Sequence, residues 1–179
     1  TDESACNYDV TATEDDGSCG IVDACGECAG DDLNDSGYHC GDLQVLQYFI
    51  DLNELGDLNP LDFGIQEWSN GRLIYLENGY CEWYENIPCL STIPYSIGNL
   101  AYIETITLWG NYFNYIPESL CDLYSLTELR LAGNQITNIP ECIVSLENLE
   151  ILNLGNNNLS DIPSDIGLLS SLTTLQLNT

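Results

Sequence analysis

The sequence contains no lysine and no methionine, and its only basic side chains are Arg72, Arg130 and His39. Against them stand 29 aspartates and glutamates, a formal net charge of -27 over 179 residues. Binding to nucleic acid or to anionic lipid needs cationic groups set against phosphates, so both are excluded as partners. The charge favours cations instead: calcium, basic proteins or amine-bearing ligands. An acidic surface kept soluble in salty water gives the same excess with no partner at all. No apolar run is long enough for a membrane-spanning helix, so no membrane insertion is expected. One histidine leaves little for histidine-based catalysis. No carboxylate pair of the glycosidase kind stands out, and no glycine-rich phosphate loop is present. An enzyme is therefore not expected. No signal peptide is visible, and Thr1 reads as a processed or trimmed end.

What the chain does have is cysteine: nine of them, at 6, 19, 25, 28 and 40, then 81 and 89, then 121 and 142. That density implies an oxidising, extracellular setting and a disulfide framework, with one thiol left over or one intermolecular bridge. Three regions separate by composition. Residues 1–40 are rich in Cys, Gly and Asp and have almost no aliphatic pattern, so cross-links or metal must hold them. Residues 41–92 open with Leu43, Leu46, Phe49 and Ile50 at helical spacing, with Val45 and Leu52 beside them. This predicts an amphipathic helix over 42–52, capped by Asp42. A short strand in GRLIYLE and a cysteine-bracketed loop follow.

Residues 93–179 repeat themselves. IPYSIGNLAYIETITLWGNYFNY, IPESLCDLYSLTELRLAGNQITN and IPECIVSLENLEILNLGNNNLSD run without a gap, each 23 residues long, and a fourth copy breaks off at Thr179. Apolar residues hold fixed positions: Leu123, Leu126, Leu129, Leu131, Ile136 and Ile139 in the second copy have counterparts in the first and third. One unit cannot enclose its own leucines, but stacked units form a continuous core. Asn111, Asn134 and Asn157 recur where the chain turns inward, and their amides can pair backbone groups that a tight turn leaves open. Pro94, Pro117, Pro140 and Pro163 fix φ in an extended segment.

This pattern resembles the leucine-rich repeat family in its plant and bacterial surface-protein form, IPxxIxxLxxLxxLxLxxNxLxx, over about residues 67–179. The resemblance implies an α/β solenoid with a short parallel sheet on the concave face. A strand is expected around Leu129 and Leu131, and a helical or 3₁₀ turn on the Leu123–Leu126 side. DLQVLQYFIDLNEL with Trp68 and the NGR turn resembles the amino-terminal cap of such proteins. At the other end Leu172, Leu175 and Leu177 are expected to leave apolar surface beside a bare strand. Either the chain continues or another molecule covers that edge.

ACNYDVTATEDDGSC and DACGECAGDD resemble short segments of secreted marine proteins, which implies a disulfide-bonded extracellular spacer. The expected bridges are Cys6–Cys19, Cys28–Cys40, Cys81–Cys89 and Cys121–Cys142, with Cys25 left over, although sequence alone does not fix connectivity. Asp32, Asn34 and Ser36 alternate ahead of Gly37 as in a calcium loop, with Asp42 one residue short of the closing acid. A solvated acidic loop is the plainer account. Zinc held by Cys25, Cys28, His39 and Cys40 is the rival. Asn34 and Asn158 begin N-glycosylation sequons.

Outward strand positions follow from the repeat. One column reads Tyr75, Thr105, Glu128, Ile151 and Thr174. The next reads Glu77, Thr107, Arg130, Asn153 and Gln176, and a third carries Trp109, Ala132 and Gly155. Trp109, Arg130 and Tyr75 are residue types enriched in binding hot spots. Arg130 can equally do no more than pair with Glu128. Two function classes remain. One is an extracellular interaction or adhesion module whose concave face binds a protein or glycan. The other is a structural subunit of a filament, surface layer or appendage, joined to copies of itself through the open repeat edge and the amino-terminal segment.

Overall fold

The computed structural model of the chain describes residues 32–79, 81 and 89–178. It begins with a helix, α1, over Cys40–Leu52. Val45, Leu46, Phe49 and Ile50 form its buried stripe, while Leu52 ends outside. The helix starts two residues earlier than the pattern suggested, and His39 caps it: Asp42 N–H donates to His39 Nδ1 at 3.3 Å. Asp42 is not the cap, because its carboxylate has turned inward to other work described below.

Two strands follow, β1 (Ile65–Ser69) and β2 (Arg72–Glu77), paired antiparallel. Their link is the two-residue turn Asn70–Gly71, with φ of 49° and 78°. Positive φ at both positions is the primed turn whose twist suits a hairpin, and Asn-Gly is its commonest sequence. Strands β3 (Thr105–Thr107), β4 (Glu128–Arg130), β5 (Ile151–Asn153) and β6 (Thr174–Gln176) each come from one repeat. They extend the sheet in parallel in the order β1-β2-β3-β4-β5-β6.

The side opposite the sheet is lined by one-turn 3₁₀ helices at Tyr95–Asn99, Glu118–Asp122, Glu141–Ser145 and Ile166–Leu168. Pro94, Pro117 and Pro140 precede the first three with φ near -65° and extended ψ, as a ring-locked residue must. The expected turn from Leu123 to Leu126 is there, closed by Leu126 N–H on Leu123 O at 3.0 Å, and the 3₁₀ helix itself comes just before it. The proline sets its start, and Leu123 N–H closes it on Leu120 O.

Between sheet and 3₁₀ turns lies one core. In the second repeat Leu120, Leu123, Leu126, Leu129, Leu131, Ile136 and Ile139 are all buried. Each such side chain contributes about 1.5–3 kcal/mol of gross transfer energy before chain entropy is subtracted. At the first end the helix closes this core. Phe49 stacks on Phe63 with ring centroids 5.3 Å apart. Asn53, at the helix end, takes Ser91 N–H (2.7 Å) and Thr92 N–H (3.0 Å) on its Oδ1 and gives its amide to Thr92 O (2.9 Å). One side chain thus ties the end of the helix to the segment that leads into the first repeat.

The asparagine ladder joins the turns. Asn111, Asn134 and Asn157 accept Leu90, Phe113 and Ile136 N–H from the preceding turn at 2.8, 3.1 and 2.9 Å. Their amides donate back to Asn78, Leu108 and Leu131 carbonyls at 2.8, 3.0 and 2.9 Å. Disulfides join Cys81 to Cys89 and Cys121 to Cys142, as expected, with Cα atoms 4.7 and 5.8 Å apart. Cys40 is also disulfide-bonded. The expectations for Cys6, Cys19, Cys25 and Cys28 lie outside the described residues.

Candidate functional site

The sheet aligns the outward residues strand by strand. Tyr75, Thr105, Glu128, Ile151 and Thr174 are register partners, as are Glu77, Thr107, Arg130, Asn153 and Gln176. Strand β1 adds a residue that the sequence reading missed. Glu67 pairs with Tyr75 across the hairpin, on the exposed face. The Asn70–Gly71 dipeptide with alternating residues on either side was the available signal for it.

Tyr75 is the centre of an acidic cluster. Its hydroxyl donates to Glu77 Oε2. Its pKa is pushed up to about 12, first by burial, then by the hydrogen bond to Glu77 and by the negative charges of Glu77, Glu128 and Glu67. The neighbouring cation is spoken for, since Arg130 Nε pairs with Glu128 Oε1. The pairing alternative for Arg130 is the one the structure shows. Thr107, flanked in register by Glu77 and Arg130, is only 5% exposed and offers a ligand little.

The other arginine is structural. Arg72 Nε and Nη2 donate to Asp42 Oδ2 and Oδ1 at 2.9 and 2.8 Å, and Leu73 N–H donates to Oδ2 at 2.9 Å. The Arg72 guanidinium also sits 4.5 Å over the Tyr102 ring. Asp42 is 1% exposed, so its charge is affordable only because both oxygens are satisfied. Asp42, expected among the calcium ligands, thus has its oxygens taken up by Arg72 and Leu73. Asn34 is committed as well, its Oδ1 accepting Ser36 N–H (3.0 Å) and Tyr38 N–H (2.9 Å) to close its own turn. The described residues contain no group of three or more His, Cys, Asp or Glu side chains placed to hold a metal. The zinc alternative also fails at Cys40, whose sulfur is in a disulfide and is no thiolate.

Beyond the second column lies a trough of about 320 Å³, bordered by Trp109 at one end and Asn178 at the other. Asn158, the second sequon asparagine, is exposed, and its backbone N–H donates to Ile136 O at 2.9 Å. On the last turn Leu175 is 41% and Leu168 67% exposed. Leu172 and Leu177 are half-buried against the core, less open than expected.

Residues 124–165 match the family described as Leucine Rich repeats (2 copies). No curated protein sequence matches the chain. Among solved structures, a plant ice-binding protein superposes with a TM-score of 0.65 at 23% identity, over 79% of this chain and 49% of that one. The ectodomain of the Arabidopsis thaliana receptor kinase SOBIR1 gives 0.57 at 22% identity, over 79% and 93%. A leucine-rich repeat protein of Leptospira interrogans is 36% identical over 50% of this chain and 23% of that one, with a TM-score of 0.48. The chain thus spans about a quarter of the Leptospira protein's length and about half of the ice-binding protein's. The 23-residue period, the stacked sheet and the family match over residues 124–165 agree: the chain folds as a leucine-rich repeat solenoid.

Proposed function

We propose that this chain is an extracellular binding module whose concave sheet receives a cationic segment of a partner protein. Three glutamates, Glu67, Glu77 and Glu128, bear on one tyrosine, and both arginines of the chain are already paired with acids. That observation carries the reading. Negative potential over a sheet steers a basic partner in and rejects acidic ones. Tyr75 adds a ring against which a lysine or arginine can rest. The disulfides and the likeness to a receptor ectodomain support the extracellular setting.

The test is fluorescence anisotropy with labelled lysine-rich and glutamate-rich peptides of equal length. The lysine-rich peptide binds, more tightly as salt is lowered, and the Glu77→Gln/Glu128→Gln double variant weakens it about tenfold. Equal binding of both peptides, or none of either, refutes the proposal. The exposed Leu168 and Leu175 favour a second reading, a subunit that buries this edge against another copy. A strictly monomeric sedimentation profile of the intact protein would refute that one.

A further inference from the structure

The trough beside the acidic columns has a different character. Residues 109, 132, 155 and 178 stand one repeat apart, and their side chains run Trp, Ala, Gly, Asn. Neighbouring strands lie about 4.8 Å apart, so some 14 Å separates the first of these backbones from the last. Between an indole and an amide the column shrinks almost to bare backbone. That is why a cavity of about 320 Å³ opens there, at the lower end of the range for small-ligand sites. The indole is held in place, because Gly79 has no side chain. A Cβ there would lie 2.1 Å from Trp109 Cδ1.

The polar rim is made entirely of amides. Gln176, Asn156 and Asn178 are exposed, and their side chains make no hydrogen bond among the described residues. Asn153 spends its Oδ1 on Gly155 N–H at 3.1 Å and keeps its amide hydrogens. No charged residue lines the cavity, in a chain of net charge -27. We infer that this trough is a binding site for a neutral saccharide. An indole wall packs against the C–H face of a pyranose ring. Each free amide offers both donors and an acceptor to hydroxyl groups, which are themselves both.

Other ligands fit the walls less well. A cation finds no carboxylate, and an anion finds no free guanidinium, since Arg130 is tied to Glu128. Inside the trough a peptide strand finds the inner backbone groups already paired. Gly110, Gly133 and Asn156 N–H already donate to Ala132, Gly155 and Asn178 carbonyls at 2.8, 2.9 and 2.6 Å. The inference goes beyond the cationic-partner reading and does not rest on it, because the acidic cluster forms no part of this cavity.

The experiment titrates the intact, oxidised chain with neutral oligosaccharides: maltotetraose, cellotetraose, chitotetraose and mannotetraose. Calorimetry gives the affinity, and amide chemical shifts locate the site. At least one sugar binds saturably, with a Kd of about 1 mM or tighter, and the Kd moves less than about twofold between low and high salt. The shifts fall on Gly133, Asn156 and Gln176. Ala132→Leu, which fills the trough without touching a ladder bond, abolishes binding while the remaining spectrum is kept. Gln176→Ala weakens binding about fivefold, the loss of one hydrogen bond. Failure of every sugar to saturate overturns the inference, as does binding that survives Ala132→Leu or that salt abolishes. Loss of peptide binding with sugar binding intact would sink only the cationic-partner reading.

Discussion

The ladder asparagine in the middle of the stack offers the sharpest test of how the turns are held. Replacing Asn134 by alanine removes one acceptor and two good donors at a site 7% exposed. The three lost bonds are not equivalent. The Leu108 carbonyl keeps the Asn111 amide at 3.2 Å, and the Leu131 carbonyl keeps the Asn157 amide at 2.9 Å. Only the Phe113 N–H is orphaned, because its partner was Asn134 Oδ1. One buried donor without a partner costs about 1–3 kcal/mol, and the two shared bonds add up to about 1 kcal/mol more. The expected loss is thus about 2–4 kcal/mol, a large share of an ordinary domain's stability. With a urea slope of about 2 kcal/mol/M, the midpoint falls by about 1–2 M. Equilibrium urea unfolding of the oxidised chain, followed by circular dichroism, measures it. A loss below about 0.5 kcal/mol refutes the reasoning, since the Phe113 N–H would then have found another partner.

Two further outcomes are expected. In an alkaline titration followed by phenolate absorbance, Tyr75 ionises near pH 12, and Glu77→Gln brings it down by removing the negative charge beside the hydroxyl. The raised value means that the folded state resists deprotonation. The Tyr75 contribution to stability is whole below the unfolded pKa of about 10 and drains away as pH rises toward the folded one. Separately, the Cys121→Ser/Cys142→Ser double variant, which opens a loop with a sequence separation of 21, costs about 3 kcal/mol in the same urea assay. No change there would mean that adjacent turns are already fixed without the bridge.

Much of the architecture was legible because one physical signal dominates it. Leu129, Leu131 and their counterparts recur at a fixed interval, and alternation around them fixes which neighbours face out. The sheet columns accordingly came out in the expected register, and the ladder asparagines sit where turn chemistry required an amide. What escaped the sequence depends on contacts distant along the chain. Asp42 looked like a helix cap or a cation ligand because both readings are local. Its actual partner, Arg72, lies 30 residues away. The strand holding Glu67 was hidden because Ile65–Ser69 is half exposed and lacks a repeat to compare it with. The trough was invisible for a related reason: it is made by what Ala132 and Gly155 lack, and small side chains leave no mark on a hydrophobic pattern.

The ladder bonds run across the boundaries between turns, each asparagine serving the turn before its own. The three boundaries so joined, from the cap to the third repeat, are therefore the same joint, built from the same atoms. A duplicated block of one whole repeat, inserted at any such boundary, would meet a matching surface on both of its sides. A single inserted residue between two ladder positions would instead put every later amide out of step with its carbonyl. Chains of this kind can grow or shrink in genetic history only by whole units, and the uniformity of the joint makes that growth mechanically easy.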